Sequence, residues 1–314
     1  EIGSGLVGSE MCIRDSAKLF LDIVRRLPEE IVFIETDERM VTYIACGKVN
    51  YQIVGMSSVE YPDLPSFEQT DRITLNAKIL RDMIRQTVYA VSENTAKPIY
   101  TGSLYEIEDG VFKIIAIDGY RMAIRSENVD SESKNRFVVP GKTQHEVLKL
   151  LTDDEENTEI IIGQRHITFK IKNYRIISRL IEGTFIEYKS AIPKETKTEV
   201  VINTRTIIDA VERMSLLNND RIQSPVRCIF SDDEIKLSCT SAVGRANDVI
   251  SVPIIGESVE IGFNNRYLLD ALKNADTDEI KLILNGSLTA MIVKPVKGDS
   301  YLSIVVPMRL ANEN

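Results

Sequence analysis

Histidine and cysteine are scarce in this chain of 314 residues, and long apolar runs are absent. Its two histidines (His145, His166) and four cysteines (Cys12, Cys46, Cys228, Cys239) show no Cys-x-x-Cys spacing. They do not form the ligand set of a zinc site, so neither a metal nor a cofactor is expected. The thiols read as small packed hydrophobes of a cytoplasmic protein. No stretch approaches the roughly 18 consecutive apolar residues that suggest a membrane helix, so no membrane partner is expected. Residues 1–16 lack the basic start and apolar centre of a secretion signal. Hydrophobic residues at 43% and charged residues at 27% are ordinary for a globular chain.

Catalytic signatures are missing too. No Gly-x-Ser-x-Gly, His-Glu-x-x-His or kinase-like series occurs. Gly3-Ser4-Gly5-Leu6-Val7-Gly8 has dinucleotide-loop spacing, but only two residues precede it, which leaves no strand for the loop to follow. Pro140-Gly141-Lys142-Thr143 ends like a phosphate loop, yet Arg136 stands where the loop needs its first glycine. Asp118, in Asp118-Gly119-Tyr120-Arg121, is the best lone acid for chemistry, and an Asp before Gly reads first as a turn former. No enzyme is expected. The net charge of −9 also argues, taken alone, against tight binding of nucleic acid.

What the chain has is internal repetition. Apolar residues at helical spacing in Ala17–Leu27 recur in the segments around Val139–Leu151 and Ile261–Lys273. Each segment leads into an acidic turn and then a β-rich run. Ala17 and Gly141 lie 124 positions apart, and Gly141 and Asn264 lie 123 apart, which is the size of a whole domain. A second helix is expected over Leu75–Val91, and its start resembles Ile202-Asn203-Thr204-Arg205-Thr206-Ile207-Ile208-Asp209. Between the helices, strands are expected at Ile31–Glu35, Met40–Cys46, Tyr51–Gly55, Ser103–Glu108, Val111–Ala116, Met122–Arg125 and Phe137–Val139. More follow at Glu159–Ile162, His166–Ile171, Tyr174–Leu180, Glu279–Leu284, Thr289–Val293 and Tyr301–Leu310. Hairpins with two helices per unit indicate an α+β fold of antiparallel sheets. The expected organisation is a leader at 1–16, the rear half of a first domain at 17–69, a middle domain at 70–194 and a last domain at 195–314. On this reading the chain is truncated at its front.

Charge and apolar residues are placed unevenly. Lys78, Arg81 and Arg85 form one stripe on the Leu75–Val91 helix, and Lys142 and Lys149 repeat the theme on the next helix. Lys18, Arg25 and Arg26 do so in the partial domain; in the last domain Arg205, Arg213, Arg266 and Lys273 are diluted by Asp209, Glu212 and Asp270. Recurrence on corresponding helices points to a shared anionic partner. The apolar end Ile304-Val305-Val306-Pro307-Met308-Arg309-Leu310 suggests docking onto its own domain or the wall of a peptide groove.

These features coincide with a known family. Tyr61-Pro62-Asp63-Leu64-Pro65, Ala116-Ile117-Asp118-Gly119-Tyr120-Arg121-Met122-Ala123, Glu260-Ile261-Gly262-Phe263-Asn264 and Val306-Pro307-Met308-Arg309-Leu310 resemble motifs of the bacterial sliding clamp, the β subunit of DNA polymerase III. The resemblance spans roughly residues 17–310. It implies a DNA-clamp fold: a ring of two subunits of three similar domains around double-stranded DNA, with sheets outside and basic helices lining the hole. Lys78, Arg81, Arg85, Lys142 and Lys149 then face DNA. Weak phosphate contacts suit a ring held by topology, and an acidic exterior repels DNA from the wrong surface, which answers the charge objection.

The resemblance also implies a groove between the middle and last domains. Its expected partners are peptides from the polymerase III catalytic subunit, the clamp loader, other polymerases and repair proteins. Carried over, the groove consists of Tyr100, Ile117, Gly119, Tyr120, Arg121, Met122, Ile186, Asn264, Tyr267, Leu288, Ile304, Val306, Pro307, Met308, Arg309 and Leu310. Ile117, Ile186, Tyr100 and Met122 depart from the family's usual Thr, Pro and leucines, which alters the expected peptide preference. Ala311–Asn314 extend past the usual end and are candidates to cover part of it. A homodimer is implied in the full-length parent, with Tyr51 and Ile53 facing Leu216 and Leu217 of a neighbour. An alternative is a peptide-binding scaffold alone, should the partial first domain prevent ring closure.

Overall fold

A computed structural model describes residues 11–12, 17–28, 31–57, 71–131, 133–152, 156–218 and 224–310. The chain divides into two compact units, Glu1–Ser66 and Phe67–Asn314. The Tyr61–Pro65 motif, the Gly3–Gly8 loop and the Ala311–Asn314 extension lie outside the described residues.

In the first unit, helix α1 (Ala17–Val24) accompanies a sheet of Val32–Thr36, Val41–Cys46 and Val49–Val54. Its core is Ile23, Ile44 and Ile53, with Phe20, Leu27, Val32 and Ile34 packed around them. The first hairpin turns at Asp37, whose carboxylate accepts from the amides of Arg39 and Val41 at 2.9 Å and lets Met40 take φ 61°. Met11–Cys12, expected to lie outside the repeat, pairs antiparallel with Met56–Ser57.

The second unit holds two copies of one topology. In the middle copy, Asp71–Asn76 leads into α2 (Ala77–Val88), four strands from Gly102 to Pro140, α3 (Gly141–Leu150) and three strands from Asn157 to Arg179. In the last copy, Thr198–Asn203 leads into α4 (Thr204–Ser215), then Val226–Ser231, Glu234–Ser241, Gly244–Ser251 and Val259–Phe263, with short Ile254–Gly256 between the last two. Next come α5 (Asn265–Lys273) and the strands Glu279–Leu284, Met291–Pro295 and Tyr301–Val305. Helix α2 packs on α3 and α4 on α5. The two copies bury separate cores, one around Leu80, Met83, Phe112 and Phe169, the other around Val211, Phe230, Phe263 and Leu272.

The helix starts explain the repeat. Asn76 accepts from the amides of Lys78 and Ile79, Asn203 from Thr206, and Asn264 from Arg266 and Tyr267. One Asn cap thus serves three helices. Helix α3 instead begins after Pro140, with no side-chain cap. Gly141 sits there because an added Cβ would stand 3.0 Å from Val91 Cγ1 and 3.1 Å from the Thr101 carbonyl.

Several expected boundaries need correction. Leu75 belongs to the strand Asp71–Asn76, opposite Thr158, and the helix ends at Val88 rather than Val91. Helical spacing runs on through Leu75 because that side chain is buried from the sheet below the cap. Strands not expected from the sequence fill the interval between Val226 and Ser251, where buried and exposed residues alternate. The last strand stops at Val305 instead of reaching Leu310: Pro307 has no amide to donate, and the chain turns away.

Both copies also share one sheet. Nine strands run in it, and Arg121–Asn128 of the middle copy pairs antiparallel with Tyr301–Val305 of the last, Ile304 opposite Met122. This joint positions the candidate site.

Candidate functional site

Beside the joint lies a cavity of about 510 Å³. It gathers seven of the sixteen expected groove residues: Tyr100, Ile117, Gly119, Tyr120, Arg121, Ile186 and Tyr267. Tyr100 comes from a 3-10 turn (Pro98–Thr101), Ile117 to Arg121 from a hairpin turn and Tyr267 from α5. Gly119 takes φ +95°, which any side chain would strain. Asp118 Oδ1 accepts from the amides of Tyr120 at 2.9 Å and Arg121 at 3.0 Å, so it acts as the turn former.

The other nine are distributed around the cavity's supports. Met122 and Ile304 are buried in the core cluster of the joint, under the sheet surface. Asn264 is the cap of α5. The tail from Val306 to Leu310 crosses between the copies: the Val306 amide donates to the Tyr120 carbonyl and the Met308 amide to the Gly262 carbonyl, both at 2.8 Å. Gly262 leaves room for the tail: a Cβ there would lie 2.6 Å from Leu310 Cδ2 and displace that side chain. Pro307 and Met308 are half-buried, Arg309 is exposed, and Leu288 is 82% exposed and does not line the cavity.

Aromatic residues and one buried cation make the wall. Tyr120 stacks on Tyr267 with ring centroids 5.9 Å apart, and Tyr100 meets Phe185 edge-on. The Arg121 guanidinium lies over the rings of Tyr267 (4.6 Å) and Tyr89 (5.4 Å). Its side chain is 7% exposed, donating to Asp118 Oδ2 at 2.9 Å and in a short contact to Asp270 Oδ2. Burial pulls the Arg121 pKa down, but the bonds to Asp270 and Asp118 outweigh it and hold it above its ordinary value. Burial, aided by the Asp118 charge, raises Tyr267.

The sequence reading missed the polar rim, notably Ser92, Glu93, Asn94, Lys97 and Arg266. A signal was available: a polar run before Pro98, between helix and strand, marks a structured loop. Ser92 Oγ accepts there from the Asn94 amide and Asn94 Oδ1 from the Ala96 amide.

Of the expected basic stripe, Lys78, Lys142 and Lys149 are exposed while Arg81 and Arg85 are half-buried, and three of the five are paired. Arg85 reaches Asp276 at 2.5 Å and Asp82 at 3.7 Å, Arg81 reaches Asp82 at 3.3 Å, and Lys149 reaches Glu146 at 2.8 Å. The Lys149 bond holds the Glu146 carboxyl below its usual range. Lys78 and Lys142 are exposed and make no ion pair among the described residues. In the last copy Arg205 pairs with Asp209 and Lys273 with Glu212.

At the expected subunit contact, Ile53 points into the core of its own unit, while Tyr51 and Val54 on that strand are exposed. Leu216 is 82% exposed, and Leu217 packs partly on the last copy's core. Among the described residues, no group of three His, Cys, Asp or Glu could hold a metal, and no helix is long and apolar enough to cross a membrane.

Comparison with known proteins covers nearly the whole chain. Family models of the DNA polymerase III beta subunit match its N-terminal domain at residues 10–65, its central domain at 74–187 and its C-terminal domain at 189–309. The beta sliding clamp of Halalkalibacterium halodurans is 33% identical over 300 residues, spanning 93% of this chain and 79% of that protein. The one from Bacillus subtilis is 32% identical over 298 residues, with the same coverage. The crystal structure of the Bacillus subtilis DNA polymerase sliding clamp superposes with a TM-score of 0.90 at 31% identity, covering 94% of this chain and 79% of that one.

Proposed function

The chain belongs to the DNA polymerase III β-subunit family, the bacterial sliding clamps, and from that premise we propose how its surfaces serve that role. It is a sliding clamp, a processivity factor that keeps the replicative polymerase on DNA. The finer reading is a non-catalytic, cytoplasmic protein acting in a homodimeric ring around double-stranded DNA. The cavity at the joint receives peptides of the polymerase III catalytic subunit, the clamp loader, other polymerases and repair proteins.

One observation carries the groove assignment. An aromatic cavity opens where the sheet passes from one domain to the next, and the apolar tail Val306–Leu310 is bonded into that junction. A concave aromatic wall with a polar rim suits a short peptide anchored by an apolar side chain. Deleting Met308–Leu310 is expected to abolish binding of a peptide cut from the polymerase III catalytic subunit. Unchanged affinity in fluorescence anisotropy would refute the groove.

Lys78, Arg81, Arg85, Lys142 and Lys149 are the DNA-facing set. Support comes from the exposure of Lys78, Lys142 and Lys149 on α2 and α3 and from the carboxylates that partly offset Arg81, Arg85 and Lys149. Cations so tempered attract phosphate weakly, which suits sliding. For the subunit contact, the strands Val49–Val54 and Gly244–Ser251 lie at sheet edges, with Tyr51, Leu216 and Leu217 beside them and Ile53 contributing backbone only. The test is loading onto nicked circular DNA. Retention should vanish when the circle is cut, and retention that persists on linear DNA refutes encirclement.

A further inference from the structure

The polar residues behind the cavity form a connected set that reaches well beyond its lining. Tyr89, in the last turn following α2, donates or accepts at Tyr301 (3.0 Å) and Ser303 (2.8 Å), two residues of the final strand. Ser303 Oγ contacts the Met122 carbonyl at 3.3 Å, and Tyr301 donates to the Ala271 carbonyl of α5 at 3.4 Å. Arg121 lies over the Tyr89 ring and bonds Asp270, one turn along α5 from Tyr267. The middle domain's turn, the residue closing its α2 and the last domain's α5 therefore meet at one guanidinium, and Tyr89 ties that point to the final strand.

Tyr267 contacts two planar groups, the Arg121 guanidinium over its ring and the Tyr120 ring as its stacking partner. Its position, and so the wall of the cavity, depends on where Arg121 is fixed. Arg121 in turn is fixed by Asp118 from its own turn and by Asp270 from the other domain. A planar fork can serve two carboxylates and stack on a ring at once, which an ammonium cannot. Neither Tyr89 nor Asp270 lines the cavity.

We propose that Asp270 and Tyr89 are positioning residues of the groove: through Arg121 they hold Tyr267 and the Asp118–Arg121 turn in a preformed wall. This rests on the groove reading above. A wall already in place spares a bound peptide the entropy of ordering it.

The test is a double-mutant cycle on the whole chain, read as the affinity of a labelled peptide from the polymerase III catalytic subunit well below the melting transition. Asp270→Asn keeps the size and one acceptor but removes the charge; Tyr89→Phe keeps the ring and removes the hydroxyl. Asp270→Asn is expected to weaken the peptide about tenfold and Tyr89→Phe about threefold, within the usual range for coupled contacts. In a Tyr267→Ala background both losses should shrink to nearly nothing, a coupling that mere destabilisation would not produce. Equal losses with and without Tyr267, or no loss in either variant, overturn the proposal while leaving the groove intact. Absence of binding by the unaltered protein removes the groove and this proposal together. Circular dichroism of each variant identifies any that fails to fold, and Asp270→Glu then replaces Asp270→Asn in the same cycle.

Discussion

Arg121 and Arg85 are the same residue in two settings within one compact unit. Arg121 is almost fully buried, bonded to two carboxylates and covered by two rings. Arg85 is 39% exposed at the side chain, paired with Asp82 and Asp276 at the surface. Solvent decides what each charge does. In the buried setting an unpaired charge is costly, so the pairing dictates geometry. On the helix face, screening makes pairing nearly free to break, so the cation remains able to exchange its carboxylate for phosphate. The proposed role calls for both behaviours, a rigid docking wall and a slippery inner face.

Breaking the buried side should have the largest effect. Arg121→Ala leaves Asp118 and Asp270 without their partner and is expected to cost about 3–5 kcal/mol in urea unfolding. A loss near zero would mean the network does not hold the joint. Next comes alkaline pH. Burial pushes the Tyr89 phenol up to about 12, and Tyr301 rises well above its ordinary 10. The unfolded state releases these protons first, so stability is whole below pH 10 and declines as pH rises toward and through 12. The melting temperature should fall by about 5 °C or more over that interval, and Tyr89→Phe should flatten the decline.

The exposed side predicts small numbers. Arg85→Ala should change stability by no more than about 1 kcal/mol, the scale of a surface ion pair. Lys78→Ala and Lys142→Ala should stay within about 0.5 kcal/mol. Each lysine change should nonetheless lower the salt slope of DNA retention by about 1, as loss of one phosphate contact does. Retention with an unaltered salt slope in the two-lysine variant would remove them from the DNA face.

Local features were legible early. The domain-length period was visible because the copies reuse an apolar helix stripe, and the middle and last copies an Asn cap, which leave marks within a few residues. The expected strands Ser103–Glu108 and Val111–Ala116 are joined at Asp109-Gly110, both at positive φ, the local turn chemistry that makes such a hairpin legible. The Asp118 turn was legible in the same way. Less visible were the strands between Val226 and Ser251, where the exposed Val249 and the half-buried Ile229 break the apolar/polar alternation. The expected strand through Leu310 was misjudged because apolar content alone does not reveal where a chain leaves its sheet.

By itself the sequence determined the repeat, the antiparallel α+β architecture, the sliding-clamp family and the basic helix faces, all written in local pattern or in motif. Only the tertiary structure decided which cations remain available and which are locked. Met122 and Ser303 meet across 181 positions through a strand pairing that backbone edges make and side-chain type does not announce. Arg121 looked like one more groove residue in the sequence. Its partner Asp270 looked like a diluting surface acid. Burial at the joint of two domains turned that pair into the support of the wall, because removing water makes a charge insist on its neighbour.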